Sequence, residues 1–408
     1  MKQAYLKRTY NNPLEKKEIK NIKGKKILVL PRWYPNQLDI QLGIFIQRQL
    51  VLMREQHDFY VVYAQAIEDL PSKFQHKSNE TLGFPEHVVY FRSAKGPFRK
   101  ITNFYRYKKA QEMGLKFCPK NIDACHIHVP YRSALPALKL NRKKGIPFAI
   151  TEHWSGHING AFSRKNSFDK WLYKRIVQKA SVISTVSQKL KDAFQYNTGK
   201  TSVVIPNYIE QGQKNGVIHN DAKIKLLSIG DIHDATKNFS GLLKAYRAAL
   251  TEMNNMHLTI VGDGPDRYEI HHLAKLLNFP PNTIHFTGRL EHQIVLETIQ
   301  DCDFYICNSN FETFGMTVAE ALFAGKPVIS TTCGGPEEFV NTNNGILIEI
   351  SENSTNLKEA IIKMSGVYKS FKKEDLINPI ADRFGKETVK KAWSAFYDKL
   401  LINTKHSN

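Results

Sequence analysis

Short β-rich apolar runs recur along this chain, each followed by a breaker and then by apolar residues at helical spacing. "KKILVLP" at Lys25 to Pro31 precedes helical periodicity from Ile44 to Arg54, and "DFYVVYA", "ACHIHVP", "PFAITEH" and "ASVISTVS" repeat the pattern between Asp58 and Ser187. Strands that alternate with helices in this way form a parallel sheet covered on both faces. After "SVVIPN" the sequence turns polar from Glu210 to Lys223, the best linker candidate. A second series then runs through "IKLLSIG", "MHLTIVGDGP", "TIHFTG", "CDFYICNS", "KPVIST" and "GILIEI". One core does not ordinarily hold 408 residues, so two doubly wound, Rossmann-like α/β domains are expected. In such sheets ligands bind beyond the carboxyl ends of the strands, and two facing domains make a cleft there. The expected divisions are a basic extension at 1–24, a first domain at 25–205, a second at 206–383, and a terminal helix and tail at 384–408.

A hydrophobic content of 42% with 24% charged residues excludes fibrous and disordered classes. No apolar run approaches the ~18 residues of a membrane span and the first residues lack a signal peptide's apolar block, so a cytoplasmic protein is expected. The five cysteines, Cys118, Cys125, Cys302, Cys307 and Cys333, are odd in number and scattered, which fits reduced thiols. The 58 basic and 38 acidic residues give a net charge of +20, which calls for an anionic partner. Nucleic acid, an anionic membrane surface and a phosphorylated substrate all meet that requirement.

The stretch "CNSNFETFGMTVAEALFAGKPVIS" from Cys307 to Ser330 narrows the choice. Its strand, "DFYICNS", leads through "NFETFG" into the helix "MTVAEALFAG", with Gly325 at the C-cap. Glu312 and Glu320 are eight residues apart, about 12 Å on one continuous helix at 1.5 Å per residue, too far to grip one atom. With Glu312 in the loop and the helix starting near Gly315, the two carboxylates flank a helix N-terminus, whose unpaired N–H groups and partial positive charge seat a phosphate. A nucleotide sugar has matching parts. Glu312 can accept from sugar hydroxyls, Glu320 from ribose hydroxyls, and the amides of Phe314, Gly315, Met316 and Thr317 can hold the diphosphate.

These residues resemble those of retaining GT-B glycosyltransferases of glycosyltransferase family 4, through "FGMTVAEALFAGKPVI", "GGPEEFV" and "NGILIE". "WYPNQLDIQLGIFIQRQ", "HIHVP", "TEHWSG", "VGDGP" and "FTGRL" follow in the family's order, so the resemblance runs from about Lys25 to Leu401. It implies two facing Rossmann-like domains, an acceptor side first and a nucleotide-sugar side second, with "FGKETVKKAWSAFYDKLL" crossing back to the first. It also implies that Gly43 lines the cleft beside the diphosphate and that Gly262 shapes a nucleotide-side turn. Gly288 and Arg289 would meet the base, and His153 would lie near the transferred sugar. Lys237 would neutralise the leaving diphosphate, where cleavage builds negative charge. Transfer would retain the anomeric configuration, the leaving phosphate helping to deprotonate the acceptor, with no cofactor or metal required. UDP is preferred as the base carrier by the family's frequency, and surface polysaccharide synthesis on a glycan or lipid-linked glycan is the implied setting. In "SIGDIHDATKN" Asp231 stands where the family often has an arginine, leaving Lys244, Arg247 or Arg289 to compensate.

Other readings of these residues stand beside this one. The paired glutamates can serve as caps, Lys237 as a solvated lysine, and Gly262 and Gly264 as turn formers. His126, His128, His153 and His157 offer a zinc set, against strand-end packing and cleft lining. From Val88 to Gln111 no acidic residue occurs, while Arg92, Arg99, Lys100, Arg106, Lys108 and Lys109 are interleaved with Phe91, Phe98, Phe104, Tyr105 and Tyr107. On an acceptor-carrying domain, such a stretch suits an anionic membrane surface more than nucleic acid. A non-catalytic basic protein binding glycan or nucleic acid is the alternative from another class, and sugar-nucleotide hydrolysis or epimerisation is the alternative chemistry.

Overall fold

A computed structural model describes residues 24–210, 212, 223–351 and 354–402. The basic extension at 1–23, most of the Glu210–Lys223 linker and the tail at 403–408 lie outside them. The first sheet has eight strands: β1 (Lys25–Pro31), β2 (His57–Ile67), β3 (Phe74–Asn79), β4 (Glu86–Arg92), β5 (Ala124–His128), β6 (Phe148–Glu152), β7 (Val182–Thr185) and β8 (Val203–Val204). Their spatial order is β3-β4-β2-β1-β5-β6-β7-β8. All pairings are parallel except β3 with β4, an antiparallel edge that the alternating pattern does not reveal. The helices threaded through this half are α1 (Ile44–Met53), α2 (Arg99–Leu115), α3 (Leu135–Lys144), α4 (Ser167–Lys179) and α5 (Gln188–Thr198).

The second sheet comprises β9 (Ile224–Ile229), β10 (Met256–Val261), β11 (Ile284–Gly288), β12 (Phe304–Cys307), β13 (Val328–Thr331) and β14 (Gly345–Ile348), in the order β11-β10-β9-β12-β13-β14 and parallel throughout. Its helices are the single turn α6 (Asp234–Lys237), α7 (Phe239–Ala249), α8 (Arg267–Leu276), α9 (His292–Asp301), α10 (Met316–Phe323), α11 (Thr355–Val367) and α12 (Lys373–Phe384). In each sheet the order reverses beside the first strand, β1 or β9. Such a switch point opens a crevice at the carboxyl ends, where a ligand can sit between diverging loops.

A last helix, α13 (Lys386–Ile402), returns to the first sheet. Its Val389, Trp393, Phe396, Tyr397 and Leu400 are buried with Ile27, Val29, Leu50 and Phe59 in one core. Tyr397 also makes a 2.9 Å hydrogen bond with Nδ1 of His126 on β5. The strands β1, β5, β12 and β13 are apolar on both faces because helices cover both, which is why they read as continuous apolar runs.

Candidate active site

Glu312 lies in the loop after β12, tied into the sheet by its backbone: its N–H donates to the carbonyl of Cys333 at 2.8 Å and its carbonyl accepts from Gly335 N–H at 3.0 Å. Gly315 follows with φ of 86°, the left-handed conformation, and caps α10. A side chain there would be strained and its Cβ would stand 2.6 Å from Cγ of Pro336, so this turn needs glycine. The amides of the first turn of α10 have no intrahelical acceptor and open beside Glu312. Phe314 sends its ring into a core with Phe339 and Phe384, leaving only its backbone for a ligand. Thr317 is held by the Tyr305 hydroxyl at 2.7 Å.

The turn before α7 is stitched to this loop. Asn310 N–H donates to Thr236 carbonyl at 2.7 Å, and the Asn310 side-chain amide to Ala235 carbonyl at 3.1 Å. Lys237 is thereby placed so that its ammonium meets the Glu312 carboxylate at 2.5 Å, where Ser309 Oγ also donates at 2.8 Å. Burial pulls the Lys237 ammonium down, but the Glu312 charge outweighs burial and holds it protonated well above its ordinary range. A fixed cation is thus held at Glu312, three residues before the glycine that caps α10.

Glu320 sits on the second turn of α10 with a side chain 4% exposed, and its Oε1 accepts from a guanidinium nitrogen of Arg48 at 3.1 Å. Arg48 comes from α1, so this ion pair bridges the two domains. Burial raises the Glu320 carboxyl above its ordinary pKa, and Arg48 opposes that rise. Sequence reasoning missed Arg48. The available signal was a lone cation between two glutamines in the otherwise apolar helix "IFIQRQLVLM".

At the other edge Gly262, Gly288 and Arg289 come together, with Gly262 N–H donating to the Gly288 carbonyl at 2.9 Å. A Cβ on Gly262 would stand 1.9 Å from the carbonyl oxygen of Gly230, so β9 and β10 end in close backbone contact that excludes a side chain. Arg289 reaches Asp231 at 3.3 Å and, across the domains, Asp39 at 2.5 Å. A guanidinium therefore does stand at the turn where Asp231 replaces the arginine. Arg247 instead donates to the Leu277 carbonyl at 2.9 Å, away from that turn. Gln41 adds a bond to the Leu290 carbonyl at 2.5 Å.

Gly43 caps α1 with φ of 69°, and the next ring, Phe45, lies 4.5 Å from that of His153. His153 is buried, hydrogen-bonded through Nε2 to Nδ1 of His128 at 3.2 Å, and burial pushes its pKa down to about 4. It is therefore neutral near pH 7. Of the four histidines weighed for zinc, His126 bonds Tyr397 and Thr151, and His157 bonds Tyr173 at 2.8 Å beside Glu152. Among the described residues no three His, Cys, Asp or Glu side chains are grouped to hold a metal. All five cysteines are free. No described helix is long and apolar enough to cross a membrane.

Phe98 at the N-cap of α2, and Ile101 and Tyr105 on it, are exposed by 73%, 59% and 65%, among exposed Arg99, Lys100, Lys108 and Lys109. Arg92 is exposed at the end of β4, Arg106 folds back on its carbonyl at 2.5 Å, and Phe91 is buried in the core.

Comparison with known proteins agrees with this architecture. Residues 50–211 match the Glycosyltransferase Family 4 model and residues 210–370 the Glycosyl transferases group 1 model. A glycosyltransferase of Methanocaldococcus jannaschii, MJ1178, is 26% identical over 247 residues, covering 60% of this chain and 66% of that protein. TuaC of Bacillus subtilis, a glycosyltransferase named for teichuronic acid biosynthesis, is 22% identical over 379 residues, 88% of this chain and 94% of that one. The crystal structure of Anabaena HepE with UDP and glucose superposes with a TM-score of 0.70 at 15% identity, covering 92% of this chain and all of that one. With two family models that together span both domains and a fold shared with HepE, the chain belongs to glycosyltransferase family 4 and has the GT-B fold.

Proposed function

We infer that the protein transfers a sugar from a nucleotide sugar, with UDP as the preferred carrier, to a glycan or lipid-linked glycan, with retention at the anomeric carbon. The Lys237–Glu312 pair before the N-terminus of α10 carries this reading, because it sets a cation where a diphosphate leaves and a carboxylate where sugar hydroxyls arrive. In the proposed step the bond from the anomeric carbon to the diphosphate breaks as the bond to the acceptor oxygen forms on the same face. The acceptor proton passes to a diphosphate oxygen. Lys237 and the α10 amides offset the departing charge, so the proposal includes no metal. Glu320 receives a ribose hydroxyl beside Arg48, Gly43 approaches the diphosphate, Gly262, Gly288 and Arg289 border the base, and neutral His153 donates or accepts one hydrogen bond near the sugar.

HepE, with UDP and glucose in its crystal structure, supports the choice of nucleotide, and TuaC supports a polysaccharide setting. The test titrates the protein with UDP, GDP and ADP, alongside Glu320→Ala, and follows donor turnover with product anomers read by NMR. Micromolar UDP binding, weakened roughly fivefold or more by Glu320→Ala, is expected. Binding no better than a salt-sensitive background points to the non-catalytic basic protein, and donor consumption without acceptor points to a hydrolase or epimerase.

The exposed aromatic and basic face of α2 supports peripheral contact with an anionic inner membrane surface as part of the same proposal. Retention on anionic liposomes at low salt, lost on Phe98→Ser with Tyr105→Ser, is expected. No retention at any salt would remove the membrane from the reading.

A further inference from the structure

The carboxyl ends of β1, β5 and β6, adjacent strands at the switch point of the first sheet, carry a cluster that the donor side does not use. Arg32 follows β1, Tyr131 and Arg132 follow β5, Trp154 follows β6, and Lys165 comes from the loop before α4. The guanidinium carbons of Arg32 and Arg132 lie 5.8 and 5.6 Å from the centroid of the Tyr131 ring, and the Lys165 ammonium lies 5.2 Å from it. Lys165 is also 4.8 Å, and Arg32 6.0 Å, from the Trp154 ring. All five residues are half-buried.

Three cations around one tyrosine repel each other. The aromatic faces attract each of them, but they do not remove the mutual repulsion. Among the described residues none of the three makes a salt bridge with a carboxylate. The neighbouring carboxylate, Asp169, is engaged by the Tyr131 hydroxyl at 2.7 Å and the Asn166 amide at 3.0 Å. Burial and then the charge of Arg32 lower the pKa of Lys165, with Asp169 opposing. The site therefore gains when an anion arrives. One carboxylate brings a single negative charge, whereas a phosphoryl group brings about −1.5 to −2 and three acceptor oxygens, which answers a cluster of three cations better.

We propose that this cluster holds a phosphoryl group attached to the acceptor saccharide, with the phosphoryl oxygens among Arg32, Arg132 and Lys165. The proposal rests on the transferase reading only in naming the ligand as acceptor. The cations sit on the first domain.

The test uses the full chain saturated with UDP and titrated with glucose 1-phosphate, methyl glucoside and glucuronic acid, read by tryptophan fluorescence. Glucose 1-phosphate is expected to bind at least tenfold more tightly than the other two. Arg32→Gln and Lys165→Gln are each expected to weaken it by tenfold or more, while Lys139→Gln on the exposed face of α3 leaves it unchanged. Two variants guard against one that misfolds, and their UDP affinity reports on folding. Equal binding of methyl glucoside, or indifference to both variants, overturns the proposal. Equal glucuronic acid binding replaces the phosphoryl group with a carboxylate and overturns the proposal as stated. Farnesyl-diphosphate-linked N-acetylglucosamine separates the two sources: tighter binding than glucose 1-phosphate identifies a lipid-linked acceptor, and equal binding a free sugar phosphate, both within the proposal. Failure of UDP to bind while the phosphate probe remains sensitive to Arg32 and Lys165 would sink the donor-site reading alone.

Discussion

Arg48 and Glu320 compete for two descriptions, a structural ion pair and a ribose contact, and the carboxylate has room for both. Arg48 takes Oε1, and a carboxylate accepts more than one donor. Because the Arg48 and Glu320 side chains are only 13% and 4% exposed, Arg48→Ala leaves a nearly buried charge without its partner. The expected loss is about 3 kcal/mol, the lower end for breaking a buried pair because Arg48 keeps some solvent. Urea unfolding measures it, and Arg48→Ala with Glu320→Gln together should cost less than the sum of the single changes. Lys237 should behave differently. Lys237→Ala is expected to cut kcat by about a hundredfold, with Lys237→Arg recovering part of it, because positive charge at the leaving group is what the step needs. At Arg289, which reaches Asp231, substitution by alanine should weaken UDP binding while leaving the melting temperature nearly unchanged, since both partners of this ion pair are solvent-accessible.

At the scale of elements, the paired strands β5 and β6 bring a pH dependence with them. His126, on β5, has its pKa lowered by burial to about 3, and His153, just after β6, to about 4; both lie below the ~6.5 of an unfolded histidine. Between those values the unfolded chain binds more protons than the folded one, so stability is full above pH 6.5 and falls as pH drops toward 4. Glu152, whose carboxyl is pulled up by burial but held lower overall by His157, Tyr173 and backbone donors, loses its contribution only below its unfolded pKa of about 4.5. The window from pH 6.5 to 5 therefore belongs to the histidines. Thermal midpoints measured across it should fall, and His126→Gln should flatten the slope. The same elements show what the sequence reveals. Apolar runs mark strands buried on both faces, such as β1, β5 and β12, and the glycine-led start of α10 is legible in "FETFG". The strand β3, "FQHKSN", is polar because it is a largely exposed antiparallel edge, so neither hydrophobicity nor alternation announces it. The Lys237–Glu312 pairing was legible as two separate motif residues. The Arg48–Glu320 contact was not, because its partners are 272 positions apart and meet only when the domains face each other.

For the whole molecule, the domains are joined in more ways than one chain crossing. Glu338 of the second domain accepts from the backbone N–H groups of Gln188 and Lys189 at 3.1 and 2.8 Å, capping the start of α5 in the first. The helix α13 contributes Trp393, 3% exposed, to the first domain's core. Trp393→Ala is expected to destabilise the protein by about 3–5 kcal/mol, and guanidinium unfolding followed in the first domain should show the loss there before the second domain responds.

The placement of α13 also sets a timetable for biogenesis. The strands of the first sheet are complete once β8 ends at Val204, yet the groove between β1, α1 and β2 is not closed until Val389 to Leu400 have left the ribosome. At about 5–20 residues per second, that interval is on the order of ten to forty seconds. Throughout it a nascent first domain presents an apolar slot at its surface, so trigger-type chaperones should dwell on ribosomes stalled between these points and leave once α13 emerges.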